Sequence, residues 1–235
     1  MSRPISGGLS IISSESLART GVIADTNRQI IFGDPALTLP AIPPAHPRPE
    51  VMAFLLSRRS RPARTLALPV PSRDELLPIL TAAARVPDHG KLEPWRFIVL
   101  EAAALKRLAA LAALRGAALG LEAQPLAKGV AQFADSDLAV VVVKMPRPTD
   151  KIPETEQMLS TGAACVTLLN AAHAAGWAAN WLTGWAVADP VFRTEGLGMA
   201  PGEWVAGIIH IGTETTVPPE RPRPDMAAIT TWVAQ

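Results

Sequence analysis

Four arginines lie within seven consecutive positions of the stretch SRRSRPAR, residues 57–64. They are Arg58, Arg59, Arg61 and Arg64, and Ser60 lies among them. Each guanidinium is a planar fork of donors that can bind two phosphate oxygens at once, and a serine hydroxyl can add a neutral donor. The stretch is therefore compatible with three interpretations: a solvated turn, a nucleic-acid patch, or a clamp for one phosphate.

The charge of the whole chain narrows these interpretations. The 235 residues carry 22 Lys and Arg against 21 Asp and Glu, which gives a formal net charge of +1. A general nucleic-acid binder needs a broad basic surface, so this balance argues against one. Further arginines stand apart at Arg85 and at Arg221 and Arg223. A phosphate held by arginines from separate segments would explain the local excess, and a solvated turn after a helix remains the alternative.

Other kinds of site chemistry find little support in the sequence. The four histidines lie in four different segments and form no HxxxH pair, whereas closed zinc sites generally have four ligands. No GxSxG motif marks a serine nucleophile, and no GxGxxG motif follows a strand. Cys165 is the single cysteine and lies in an apolar helix, where a thiol usually serves packing. We predict no metal site and no catalytic side chain.

Three tryptophans recur at a spacing of four in GWAANWLTGW, residues 176–185. On a continuous helix Trp177, Trp181 and Trp185 would share a face, but the glycines at both ends favour a helix end followed by a short extended piece. Packing in the core is the ordinary role of tryptophan. The alternative is a wall for a flat aromatic ligand, with backbone polar groups of residues 180–184 beside it.

Proline content divides the chain near residue 50. Six prolines lie between Pro35 and Pro49, and proline on this scale favours an extended chain. We predict a proline-rich N-terminal extension, residues 1–49, and a folded domain, residues 50–235. No apolar run approaches the ~20 residues that cross a bilayer, and no apolar segment follows Arg3 as in a signal peptide. We expect a cytoplasmic protein that binds neither membranes nor nucleic acid.

Periodicity and turn residues predict an α+β domain in which helices cover three or four strands. A capping box at Ser72 and Glu75 begins one helix, and Asp189 with Pro190 begins another. A long helix over residues 154–176 is rich in Ala and Gly, which favours close helix packing or a subunit interface. The remaining predicted elements are helices at 51–57 and 102–121, a loop at 87–95, and strands at 95–100, 137–145 and 205–213.

Taken in order, these segments resemble the FMN-dependent nitroreductase family, in particular its small single-domain bacterial NAD(P)H nitroreductases. The resemblance covers roughly residues 50–225, and PDHGKLEPWRF is its most specific part. The other matching stretches are LLSRRS, the helix EQMLSTGAACVTLLNAAHAAGWAANWLTG, and VAGIIHIGTE with its basic tail. The resemblance implies a central, mainly antiparallel sheet flanked by helices, and a homodimer that binds FMN at the subunit interface.

The resemblance also implies cofactor contacts. Arg58, Arg59 and Ser60 would hold the flavin phosphate and ribityl chain, and Arg223, with Arg221 less firmly, would reach the phosphate. Trp181, Leu182 and Thr183 would pass over the isoalloxazine, and Arg85 and His89 would approach the flavin. Arg61 and Arg64 compete for a flavin-facing position, and Arg64 is included among the predicted contacts.

The family's chemistry implies a ping-pong reaction in which NAD(P)H reduces FMN and a nitroaromatic, quinone or similar small acceptor reoxidises it. An arginine near the flavin pyrimidine, Arg64 or Arg85, would favour the reduced anion. Protons would come from solvent or from His89. Glu93 stands where many relatives carry an amide, which could alter acceptor preference. Two alternatives remain: an FMN-binding protein without turnover, and an interaction module whose arginines contact an acidic partner.

Overall fold

The computed structural model describes residues 42–234 of the chain. Most of the predicted extension, residues 1–49, lies outside them, and the division at residue 50 stays a prediction. The described helices are α1 (Pro49–Ser57), α2 (Arg73–Ala83), α3 (Ala102–Ala118), α4 (Ala123–Ala134), α5 (Glu154–Ala174), α6 (Trp185–Ala188) and α7 (Met226–Ile229). The strands are β1 (Leu66–Ala67), β2 (Trp95–Glu101), β3 (Leu138–Lys144), β4 (Ala178–Leu182) and β5 (Trp204–Glu214).

The strands form one five-stranded antiparallel sheet. Its main path runs β1-β5-β3-β2, and β4 also pairs with β5. Val141 of β3 lies opposite Ile98 of β2 and Ile208 of β5, so β3 has partners on both sides. The predicted α+β class and the antiparallel sheet are confirmed. The sheet has five strands rather than the predicted three or four. The prediction did not include the two-residue β1, and β4 forms from the segment that was predicted to be a short extended piece.

Helices cover both faces of the sheet. β3 is buried along its whole length, which agrees with its run of β-branched apolar residues. Val140 and Val142 point toward α5 and α2, whereas Val141 and Val143 pack with residues of α3. Successive side chains of a strand alternate between the two faces, so one apolar strand supplies both cores.

Local sequence signals account for most of the element ends. Ser72 accepts a hydrogen bond from the backbone N–H of Glu75, and the Glu75 carboxylate accepts from the backbone N–H of Ser72, as the capping box predicts. Asp189 Oδ2 accepts from the backbone N–H of Phe192 at 3.1 Å and caps the helical turn that follows. Helix α4 was not predicted, and α3 ends at Ala118 rather than near residue 121.

Within residues 42–234, the structure contains no helix that is long and apolar enough to cross a membrane.

A buried histidine lies in the central part of the sheet. His210 of β5 is fully buried, and its Nδ1 lies 2.9 Å from Ser136 Oγ. Its Nε2 has no hydrogen-bond partner among the described residues. Burial lowers the pKa of His210 from 6.5 to about 4, so the neutral imidazole is the form that the fold stabilises.

We expect His210 to make folding sensitive to acid. Because its folded pKa lies below the unfolded value, its contribution is complete above pH 6.5 and is lost as the pH falls to about 4. The difference corresponds to about 3 kcal/mol. Chemical denaturation between pH 7 and 4 should show a shallower loss of unfolding free energy in His210→Asn than in the wild type. His46→Gln, at an exposed position, serves as the control, and equal slopes in all three proteins would contradict the assignment.

Candidate functional site

The arginine stretch folds as a loop attached to the first residues of β4. The backbone N–H of Arg61 donates to the carbonyl of Ala179 at 2.9 Å. The side-chain amide of Asn180 donates to the carbonyl of Arg61 at 2.8 Å. These two bonds hold the middle of the loop in one place although Arg61 and Asn180 are far apart in sequence. We call residues 58–64 the arginine loop.

Arg61 and Arg64 have different roles in this loop. The Arg61 guanidinium pairs with Glu214 at the end of β5 and donates to the carbonyl of Arg59 at 3.0 Å. Its donors therefore stabilise the loop itself. Arg64 is exposed and lines a neighbouring cleft. Of the two arginines that the sequence left in competition, Arg64 is the one on the cleft.

Arg58 and Arg59 carry buried donors that the fold leaves unused. Within the described residues, Nε of each guanidinium is buried and has no hydrogen-bond partner. Arg58 donates through Nη2 to Ser60 Oγ at 3.2 Å. Burial lowers the pKa of Arg58, and the positive charges of Arg223, Arg59 and Arg61 lower it further. Partly buried cations that repel one another and carry free donors are chemically suited to bind an anion.

The C-terminal tail returns to the arginine loop. Arg223 Nη2 donates to Glu220 Oε1 at 2.8 Å, and the charge of Arg223 acts on Arg58. The backbone N–H of Arg221 is the main cause that lowers the pKa of Glu220. Burial opposes this effect, whereas Arg223 and, least of all, the charge of Arg59 lower the pKa further. The structure thus brings the predicted phosphate contacts Arg58, Arg59, Ser60 and Arg223 into one cluster, which we call the arginine clamp.

A histidine beside the clamp is held neutral. Nε2 of His173 accepts a hydrogen bond from the backbone N–H of Ala179 at 3.1 Å. Burial is the main cause that lowers the pKa of His173 to about 4, and the charges of Arg58 and Arg61 act in the same direction. At neutral pH this imidazole therefore adds no positive charge to the clamp, whose field comes from the arginines.

The arginine loop leads into a cleft of about 1000 Å³. One wall consists of Leu182, Thr183 and Gly184, which follow the part of β4 that binds the arginine loop. The opposite wall is the polar face of α4, with Gln124, Lys128 and Gln132. Leu182 and Thr183 were predicted contacts, whereas the three residues of α4 were missed. Their spacing of four puts them on one helix face and was the available signal.

Two of the tryptophans lie on opposite sides of this region. The indole of Trp181 packs over Gly207 and donates to the carbonyl of Ala206 at 3.3 Å. Side chains alternate along β4, so Asn180 and Leu182 line the cleft from the other face, and Trp181 is not among the lining residues. Trp185 does line it. Under the alternative interpretation of an aromatic wall, Trp185 is the tryptophan placed to form it, whereas Trp181 could contribute only backbone.

His89 lies away from the clamp in the same chain, and neither it nor Arg85 is among the residues that line the cleft. His89 Nδ1 lies 2.7 Å from Glu156 Oε2 in the first turn of α5. The loop is also fixed there, because Ser160 donates to the carbonyl of Pro87 at 2.7 Å. His173, beside the clamp, lies 17 residues after Glu156 in α5. At 1.5 Å per residue, this separation along the helix is roughly 25 Å. Arg85 is exposed. One chain does not bring these two predicted contacts to its own cleft.

Two helices expose apolar side chains. α1 has no buried residue, and Met52 and Leu56 are 56% and 74% exposed. On α5, Met158 and Leu159 are 47% and 69% exposed. Gly162 of the same helix has open space where a side chain would be. Contiguous exposed apolar surface of this kind commonly marks a protein interface.

Comparison with known proteins gives a consistent result. The family model described as "Nitroreductase family" matches residues 55–213. A Haemophilus influenzae protein named "Putative NAD(P)H nitroreductase" is 36% identical over 166 residues, 70% of this chain and 88% of the relative. "Putative NAD(P)H nitroreductase YdjA" of Escherichia coli K12 is 31% identical over 164 residues, with the same two coverages.

Solved structures share the fold at lower sequence identity. A nitroreductase-like family protein from Bacillus cereus superposes with a TM-score of 0.63 at 22% identity, and covers 83% of this chain and 100% of its own. A "putative nitroreductase" from Desulfovibrio desulfuricans, crystallised in complex with FMN, gives a TM-score of 0.62 at 20% identity. That match covers 78% of this chain and 96% of the neighbour.

The unused donors of the clamp predict that small anions stabilise the chain. Phosphate at ten times its Kd would contribute about 1.4 kcal/mol, or a rise of ~4 °C in Tm for a domain of this size. Thermal melts in phosphate and in sodium chloride of equal ionic strength measure this effect. Arg59→Ala should remove the phosphate-specific rise and Arg73→Ala, whose arginine pairs with Glu101 on an exposed surface, should keep it. An equal rise in sodium chloride would contradict the clamp.

Proposed function

Because the chain belongs to the nitroreductase family, we propose that it is an FMN-dependent oxidoreductase that uses NAD(P)H to reduce nitroaromatics, quinones or similar small acceptors. The observation that carries this proposal is the pair of buried, unpartnered Nε donors on Arg58 and Arg59. They lie in a loop that continues directly into a cleft large enough for a planar ring system. Pockets for small ligands are typically 300–1,000 Å³.

The residues present fit the two ends of FMN. A phosphate dianion would accept from Arg58 and Arg59 and would relieve the mutual repulsion that lowers the pKa of Arg58. Ser60 and Arg223 would complete the phosphate site. Leu182 and Thr183 would lie along the isoalloxazine, as the family resemblance implies.

FMN, when bound, supplies hydride and electron transfer between the nicotinamide and the acceptor, in a ping-pong sequence. The protein's part is to bind, orient and tune it. Arg64 on the cleft wall would stabilise negative charge on the reduced ring system. The described cleft-lining residues include no histidine, so we assign the protons of the reduced product to solvent unless His89 of a second subunit approaches the acceptor.

We also propose that the working unit is a homodimer with FMN at the subunit interface. His89 and the clamp of one chain are separated by most of the length of α5, which exceeds the length of an extended FMN molecule. If Arg85 and His89 contact the flavin, they must come from a second copy. The exposed apolar residues of α1 and α5 supply surface that such a copy would bury.

The principal competing function is FMN binding without turnover. Both hypotheses use the same clamp, so FMN affinity alone does not separate them. Oxidation of NADH or NADPH that depends on an acceptor occurs only under the enzyme hypothesis. An interaction module that uses the arginines for an acidic partner would bind no FMN at all.

The first test is cofactor binding with and without the clamp. The purified protein should be yellow, and NADH or NADPH should bleach it under anaerobic conditions. Arg58→Ala with Arg59→Ala should weaken FMN binding at least about 100-fold, since each charge-assisted bond contributes about 1.5–3 kcal/mol. Isothermal titration of reconstituted apoprotein gives the Kd. Arg73→Ala is the charge-matched control, and a clamp variant that binds FMN like the wild type would overturn the assignment.

Subunit complementation tests the shared site. One variant carries Arg58→Ala and Arg59→Ala, and the other carries Arg85→Ala and His89→Ala. Each homodimer should have low activity, whereas a mixed dimer contains one site with no substitution and one site with all four. Co-expression with two affinity tags should therefore restore about half of the wild-type activity per dimer, as a symmetric two-site dimer requires. If the doubly purified mixed dimer recovers no activity, the two sets of residues do not form one shared site.

A further inference from the structure

The indole of Trp185 occupies a space that two helices leave free of side chains. A Cβ added to Gly129 of α4 would lie 2.1 Å from Trp185 Nε1, and one added to Gly116 of α3 would lie 3.1 Å from its Cη2. Real Cβ contacts at 2.1 Å do not occur. The indole therefore depends on glycine at position 129, and we call Gly116, Gly129 and the Pro125 carbonyl the indole seat.

A hydrogen bond fixes the indole in this seat. Trp185 Nε1 donates to the carbonyl of Pro125 at 3.0 Å, in the first turn of α4. The side behind the indole is closed, because a Cβ on Gly116 would also lie 2.3 Å from the Leu126 side chain. The open side is the cleft, which Trp185 and Gly129 both line. An indole displaced from the seat can move only toward the cleft.

The opposite part of the wall cannot retreat either. A Cβ on Gly184 would lie 2.8 Å from Gln132 Oε1, so the backbone before Trp185 already touches α4. Gln132 Nε2 is buried without a hydrogen-bond partner among the described residues. The width of the cleft at this end is thus set by how deeply the indole sits.

We propose that Trp185 and Gly129 determine how large an acceptor the cleft admits, because the depth of the indole in its seat sets the width of the cleft at this end. The class of ligand in this inference is taken from the proposed function. The two residues are identified by the geometry of the indole seat. Displacement of the indole would narrow the cleft and would penalise a two-ring oxidant more than a single-ring one. Trp185 and Gly129 are specificity residues in this proposal and carry no chemical step.

The experiment compares two quinones that differ by one fused ring, 1,4-benzoquinone and 1,4-naphthoquinone. Steady-state kinetics give the ratio of KM for naphthoquinone to KM for benzoquinone, and this ratio cancels any overall loss of bound flavin. Gly129→Ala should raise this KM ratio about tenfold or more, because a pocket that fits one group of a substrate poorly discriminates against it by roughly that factor. Trp185→Phe, with a smaller ring and no Nε1, should lower it below the wild-type value.

The double variant supplies the decisive control. If the added methyl acts by displacing the indole, then Gly129→Ala combined with Trp185→Phe should return the ratio close to the wild-type value. A ratio that Gly129→Ala leaves unchanged, or that the double variant leaves raised, would overturn the inference. Should Gly129→Ala fail to fold, Trp185→Phe decides alone, and an unchanged ratio there also overturns it.

A binding measurement separates this inference from the proposed function. Calorimetric titration of the purified protein with each quinone, in the absence of NAD(P)H, gives the same ratio from Kd values and requires no turnover. A wild-type protein that binds no FMN would end the proposed function, and the calorimetric ratios would still test the seat. A protein that binds and reduces FMN, but whose variants show the wild-type ratio, would end only the inference.

Discussion

The attachment of the arginine loop to the sheet is the constraint on which the candidate site depends. Four like charges within seven residues repel one another, and nothing in their own segment opposes this repulsion. Arg61 resolves the conflict by binding Glu214, the Arg59 carbonyl and, through its backbone, Ala179. One arginine is neutralised so that Arg58 and Arg59 can be held, partly buried, with unused donors. The clamp therefore concentrates positive charge and unused donors at one place, where an anion would be stabilised.

The same attachment links the clamp to the cleft. The side-chain amide of Asn180 donates to the carbonyl of Arg61 and so holds the loop. The residues that follow it in β4 continue as the cleft wall. Strand β5 ends at Glu214, whose carboxylate is the partner of Arg61. Anchoring the loop and positioning the wall are thus two results of one strand pairing, since β4 pairs with β5 over residues 178–182. A change in that pairing would move both parts together.

Local patterns in the sequence predicted what depends on local physics. The capping box at Ser72, the N-cap at Asp189 and the buried strand β3 follow from short-range hydrogen bonding and from burial on two faces. The sequence marked Arg223 only as one of several separate arginines, and the family resemblance assigned it to the phosphate, because a contact across some 160 residues has no local signature. Helix α4 was missed although residues 123–134 are amphipathic, because Pro125 and Gly129 within them are poor helix formers. The indole seat for Trp185 could not be predicted from the sequence either, because a glycine gives no information about which distant side chain packs against it.

Helix α5 has a consequence that concerns protein concentration. Its length separates His89 from the clamp, so under the proposed shared site a folded single chain holds two halves of different sites and no complete one. Complete sites then appear in proportion to the square of the monomer concentration while dimers are scarce, and linearly once dimers predominate. Activity per molecule would rise with expression level over that range. Helix α5, which covers one face of the sheet, would thereby make the activity of each molecule depend on the concentration of the others.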